Sequence, residues 1–126
     1  MGTPALQPGN SITLDEYVYT PNDKKTLVFW VTQGHALVTP RRHVSSIYKL
    51  SAPEQAELWE IVGKVRALLM ERFQIDSVNI GVNDGLAAGQ TIAHAHVHVI
   101  PRRPGDVPDP RGGVRWIVAD KARYWS

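Results

Sequence analysis

The chain has 126 residues, 43% of them hydrophobic, with 14 Lys and Arg against 12 Asp and Glu for a formal net charge of +2, and it contains no cysteine. This length and apolar content suit one domain with its own core, while the charge balance argues against a broad nucleic-acid surface. The lack of cysteine excludes a disulfide framework and any zinc site built on Cys.

No stretch reaches the roughly 20 apolar residues of a membrane helix, and the opening residues lack the charged and apolar regions of a secretory signal. A cytoplasmic protein without membrane or nucleic-acid partners is therefore expected. Residues 1–13 carry Pro4, Pro8, Gly2 and Gly9 without periodicity, which predicts a flexible N-terminal arm ahead of a single domain over residues 14–126.

Two strand-like runs follow, Glu16 to Thr20 and Thr26 to Val31, separated by the turn-forming residues Pro21, Asn22, Asp23 and Lys24. They predict a hairpin. A third run, His35 to Thr39, is closed by Pro40, which cannot donate to a sheet ladder.

A helix is predicted from Ala52 to about Phe73. Ser51 as N-cap and Glu54 three residues later form a reciprocal capping pair, and Pro53 suits the first turn. Leu58, Val62, Val65, Leu69 and Phe73 recur at helical spacing, opposite Glu57, Glu60, Lys64 and Glu71, so one face must pack on the sheet. Ser77 to Val82 reads as a strand, residues 83–89 as a loop, and Thr91 to Ile100 as a long central strand ended by Pro101. After a turn-rich stretch, Val114 to Val118 reads as a last edge strand. Strands, helix, then strands predict an α+β domain with an antiparallel sheet.

In Thr91 to Ile100, His94, His96 and His98 alternate with apolar residues, and alternate residues of a strand share a face. One reading is a metal site, but His94 and His98 would lie about 13 Å apart along such a strand, too far for three rings to converge on one ion, which leaves a two-histidine site completed by His35, His43 or an acidic residue. Another is a row of histidines with a purely structural role. Three in register would repel one another whenever more than one is protonated, which favours chemistry. A neutral imidazole can attack phosphorus and split one displacement into two easier steps. The middle residue, His96, has a neighbour on each side to orient it and to support the leaving group, so it is the natural nucleophile. The pairs Arg41–Arg42 and Arg102–Arg103, with Arg111 and Arg115, offer charge for a small anionic ligand, although such pairs are also ordinary solvated surface.

The segment from His94 to Ile100 resembles the histidine-triad (HIT) family signature of three histidines separated by apolar residues. Gly34 to Val38, Pro40 to Val44, Asn79 to Gly85 and Ala88 to Thr91 resemble further family segments in the same order, so that the resemblance covers about residues 14–118. It implies a five-stranded antiparallel sheet with one long helix, a homodimer, and nucleotide transfer or hydrolysis through a nucleotidyl-histidine. By the same resemblance, His96 is the nucleophile, His98 contacts phosphate and leaving group, His94 orients, and His35 is a fourth supporting histidine. Asn83, Gly89, Gln90 and Thr91 fall at substrate-binding positions. Asn83, Gly85 and Gly89 equally suit backbone turns, Thr91 suits a strand, and a structural hydrogen bond would explain His35.

The spacing from Asn83 to Thr91, and the tail from Asp106 to Trp116, resemble bacterial members near the fragile-histidine-triad, or diadenosine polyphosphate hydrolase, branch. No cofactor is implied, beyond a divalent ion that can accompany substrate phosphates, and no metal-binding residue is assigned. One departure stands out: only Val31, Thr32 and Gln33 join the aromatic strand to Gly34–His35, where family members carry a longer connection with a ribose-binding Asp or Asn. That departure keeps open an alternative, a nucleotide-binding or regulatory protein with weak turnover.

Overall fold

In the structure, a computed structural model, residues 17–19, 26–32 and 35–126 are described. The expected N-terminal arm and the turn between the first two strands lie outside them.

Five strands form one antiparallel sheet in the order β1-β2-β3-β5-β4, with β1 at Tyr17–Tyr19, β2 at Thr26–Thr32, β3 at His35–Pro40, β4 at Ser77–Gly81 and β5 at Val97–Arg102. The expected pairing of the first two strands is present, with Tyr17 opposite Phe29. β5 lies between β3 and β4: Leu37 and Gly81 both stand opposite His98.

The long helix, α1, spans Ala52–Phe73, and both bonds of the capping box between Ser51 and Glu54 are made. Its C-terminus closes on Gln74 in the left-handed region, whose N–H donates to the Met70 carbonyl. Leu58, Ile61, Val62, Val65 and Leu69 are buried, with Phe73 partly so, and they meet Val28, Ala36, Val38, Val97 and Val99 from one face of the sheet. The opposite face of the sheet is left for the candidate site. At its N-terminus, α1 is tied to the chain after β3 by Arg42, whose guanidinium lies 2.9 Å from the Glu54 carboxylate.

Two expectations are corrected. The predicted strand over residues 91–100 begins only at Val97 and continues through Pro101 to Arg102. Residues 91–96 are irregular because their polar groups bond elsewhere: the Ala95 N–H donates to the Val44 carbonyl, and the Thr39 hydroxyl donates to the Ala95 carbonyl. Pro101 is accommodated because pairing with β3 reaches no further along β5 than Val99, so Pro101 faces a partner, Val78, on one side only.

The second correction concerns residues 114–118, which belong to a 3-10 segment, Gly113–Lys121, rather than to an edge strand. Positive φ at Gly112 and Gly113 turns the chain there, and the Arg115 side chain donates to the Lys121 and Ala122 carbonyls, replacing sheet pairing with local bonds.

Candidate active site

The irregular run before β5 changes what the three histidines do. Instead of sharing a face, His94 turns inward and is fully buried, with its Nε2 donating to the Pro40 carbonyl over 2.6 Å. The ring of His43 packs on it, with centroids 4.8 Å apart. His96 is 8% exposed and packs edge-on against His98 at 4.9 Å.

The tautomer of His96 follows from its partner. Nδ1 lies 2.8 Å from the His94 carbonyl, which only accepts, so Nδ1 carries the proton and a neutral ring has its lone pair on Nε2. His98 Nδ1 and His35 Nε2 are 2.9 Å apart, so one donates to the other. Burial, reinforced by the nearby His96 and His35, pushes the His98 pKa down to about 4. His35 is lowered by burial and by His96, and His94 chiefly by burial, against the opposing pull of the Pro40 carbonyl. His35, His94 and His98 are thus biased towards the neutral form.

Around this row, hydrogen bonds fix the main chain. Besides the Thr39 and Val44 bonds to Ala95, His43 Nε2 donates to the Ala93 carbonyl at 3.1 Å. Gln90 accepts from the Gly85 N–H and donates to the Ser45 and Ile92 carbonyls, joining the loop after β4 to the segments on either side of it. Gly89 ends the short 3-10 turn Leu86–Ala88 with φ of 95°, and Thr91 is exposed just beyond. Asn83 lines a cleft of about 360 Å³ together with His35, His98 and Arg102. Among the described residues there is no cluster of three or more His, Asp or Glu placed to hold a metal ion.

The HIT domain family model matches residues 9–105, most of the chain. The chain belongs to the HIT family. Among its relatives, the nitrilase and fragile histidine triad fusion protein NitFhit of Caenorhabditis elegans is 44% identical over 79 residues, 63% of this chain and 18% of that protein. The asymmetrical bis(5'-nucleosyl)-tetraphosphatase of Schizosaccharomyces pombe is 41% identical over 76 residues, 60% of this chain and 42% of that protein. This HIT chain thus spans under half the length of both relatives. The crystal structure of the C. elegans protein superposes with a TM-score of 0.64 at 38% identity, covering 80% of this chain and 24% of that one.

Of the positions picked out by the HIT resemblance, the structure brings together His96, His98 and His35, and places Asn83 beside them. His94 acts on the row through its carbonyl. Three supporting residues were not singled out in the sequence for this role: Thr39, His43 and Ser45. His43 stands in the segment that follows β3. The signal available for it was its place three residues beyond Pro40, in a segment already matched to the family.

Proposed function

We propose that this HIT protein hydrolyses dinucleoside polyphosphates through a nucleotidyl-histidine. The observation that carries this is the bond from His96 Nδ1 to the His94 carbonyl, which orients the ring and, in its neutral form, puts the lone pair on Nε2 for attack. In the first step Nε2 bonds to the α-phosphorus while the bond from that phosphorus to the leaving oxygen breaks. In this reading His98, in edge contact with His96, meets the leaving oxygen. In the second step water attacks the same phosphorus, the nitrogen–phosphorus bond breaks, and a nucleoside monophosphate is released. The names of the relatives, a bis(5'-nucleosyl)-tetraphosphatase and bis(5'-adenosyl)-triphosphatases, favour dinucleoside polyphosphates, with adenosine phosphoramidates as the other substrate class.

Within the same reading, His35 supports His98, and Asn83, Gly89, Gln90 and Thr91 surround the phosphates. We further propose a homodimer in the cytoplasm, acting without a required cofactor. Among the described residues no helix is long and apolar enough to cross a membrane.

The test compares wild-type protein with His96→Ala on diadenosine tetraphosphate, ATP and an adenosine phosphoramidate, reading AMP release. Release by the wild type alone supports the reading. Equal release by the variant defeats it.

One observation favours a second reading, a binding protein with weak turnover. β2 ends at Thr32 and β3 begins at His35, so two residues join them where the family resemblance leads one to expect a longer connection with a ribose-binding Asp or Asn. AMP binding without hydrolysis of any of the three substrates would select it.

A further inference from the structure

The cleft that opens beside His98 runs along the free face of the sheet. His98, Ile100 and Arg102 alternate along β5, point to this face and line it, so from His98 to Arg102 the floor extends about 13 Å. The far wall comes from the 3-10 segment Gly113–Lys121, whose Val114 and Ile117 are 55% and 79% exposed. The volume, about 360 Å³, lies within the range of small-molecule sites. Its chemistry is divided: histidines at one end, an apolar lip opposite, and a fixed cation at the other end.

Arg102 is held in place rather than free. Its Nε and one terminal nitrogen donate to the two oxygens of Asp106 at 2.8 Å each, and its other terminal nitrogen donates to Asn79 at 2.6 Å. These bonds use three of the five N–H groups of a guanidinium. Asp106 sits on an exposed turn, where it also accepts from the Arg103 N–H. Among the described residues lining the cleft Arg102 is the one Lys or Arg, and His35 and His98 are biased to neutrality, so Arg102 is the charge an anion there would meet.

We propose that this cleft holds the leaving half of a dinucleoside polyphosphate, its phosphates drawn to Arg102 and its nucleoside resting on Val114 and Ile117. The proposal rests on the hydrolase reading above and specifies which half of the substrate lies here. A phosphorus within reach of His96 Nε2 expels its leaving group away from that nitrogen, and the cleft is lined by His98 and His35 but not by His96. Asp106 then tunes affinity, since its carboxylate competes with phosphate for the guanidinium. A small leaving group gains nothing from the cleft, so it separates dinucleotide substrates from phosphoramidates.

The experiment measures binding by calorimetry, on the wild type and three variants, of AMP and of a diadenosine tetraphosphate whose scissile bridging oxygens are replaced by carbon. The wild type is expected to bind the dinucleotide about tenfold or more tighter than AMP, and Arg102→Gln to remove about that factor while leaving AMP within about twofold. Asp106→Asn is expected to strengthen dinucleotide binding, and Ile117→Asp to weaken it. Ile117 is too exposed for that change to disturb the core, so it reports even if Arg102→Gln unfolds the turn. Equal affinity of the wild type for both ligands, or variants that shift both alike, overturns the subsite. Turnover separates the two readings: the expected binding pattern without AMP release from natural diadenosine tetraphosphate sinks the hydrolase, whereas AMP release without the pattern sinks the subsite.

Discussion

His96 donates from Nδ1 to the main-chain carbonyl of His94, 2.8 Å away, so the orientation of the proposed nucleophile depends on how the chain bends between residues 94 and 96. Because His94 is itself anchored to the Pro40 carbonyl, the end of β3 and the start of β5 jointly set that bend.

Replacing His96 by Ala removes the proposed nucleophile and leaves little of the wall of the cleft disturbed. AMP release from diadenosine tetraphosphate should fall by about a thousandfold or more, as for other covalent catalysts stripped of their attacking group. The thermal midpoint, followed by circular dichroism on the same sample, should change little by comparison.

The Thr39 hydroxyl, fully buried, donates over 2.6 Å to the carbonyl of Ala95, the residue between the two histidines. Thr39→Val keeps the shape but leaves that buried carbonyl without this donor, a loss of about 1–3 kcal/mol in urea unfolding. Turnover should drop as well, because the bend that aims His96 loosens. Stability falling with kcat untouched would show that the hydroxyl serves the fold alone.

Stability should decline as the solution is acidified from neutrality. His98 has a folded pKa of about 4 against an ordinary 6.5, so between these values the unfolded chain binds more protons and is favoured. Above about pH 6.5 the group is neutral in both states and contributes no slope. His35 and His94 are shifted in the same direction and add to the effect. Urea midpoints measured at pH 7.5, 6 and 5 should fall in that order, and His98→Gln should flatten the trend. A level profile in the wild type would contradict the depressed values.

Ser51→Ala removes the acceptor for the Glu54 N–H at the start of α1 and should cost about 1 kcal/mol. Equilibrium unfolding measures it. Since α1 packs on the face of the sheet away from the cleft, kcat at saturating substrate should be preserved.

Much of this architecture was legible because it is local. The helix limits at Ala52 and Phe73 follow from the capping pair and from the apolar spacing, and Pro40 marked the end of β3. The central strand was misplaced for a non-local reason. Alternation of His and apolar residues reads as a strand, yet the carbonyl of Val44 and the hydroxyl of Thr39, distant in sequence, claim the polar groups of Ala95. Pro101 misled similarly, since its lack of a donor matters only where a second neighbouring strand is present. The three-histidine pattern pointed to the candidate site, but the inward turn of His94 depends on the Pro40 carbonyl and on the His43 ring, neither of which periodicity reveals.

The Ser51–Glu54 cap has a consequence for the order in which acid dismantles the molecule. Hydrogen bonds from Arg42 and from Ser51 hold the Glu54 pKa down at about 2, so this junction stays ionised long after the buried histidines have begun to take up protons. Progressive acidification should therefore loosen the strand crossing first and leave the helix start intact, a sequence of events that amide exchange at low pH would resolve residue by residue.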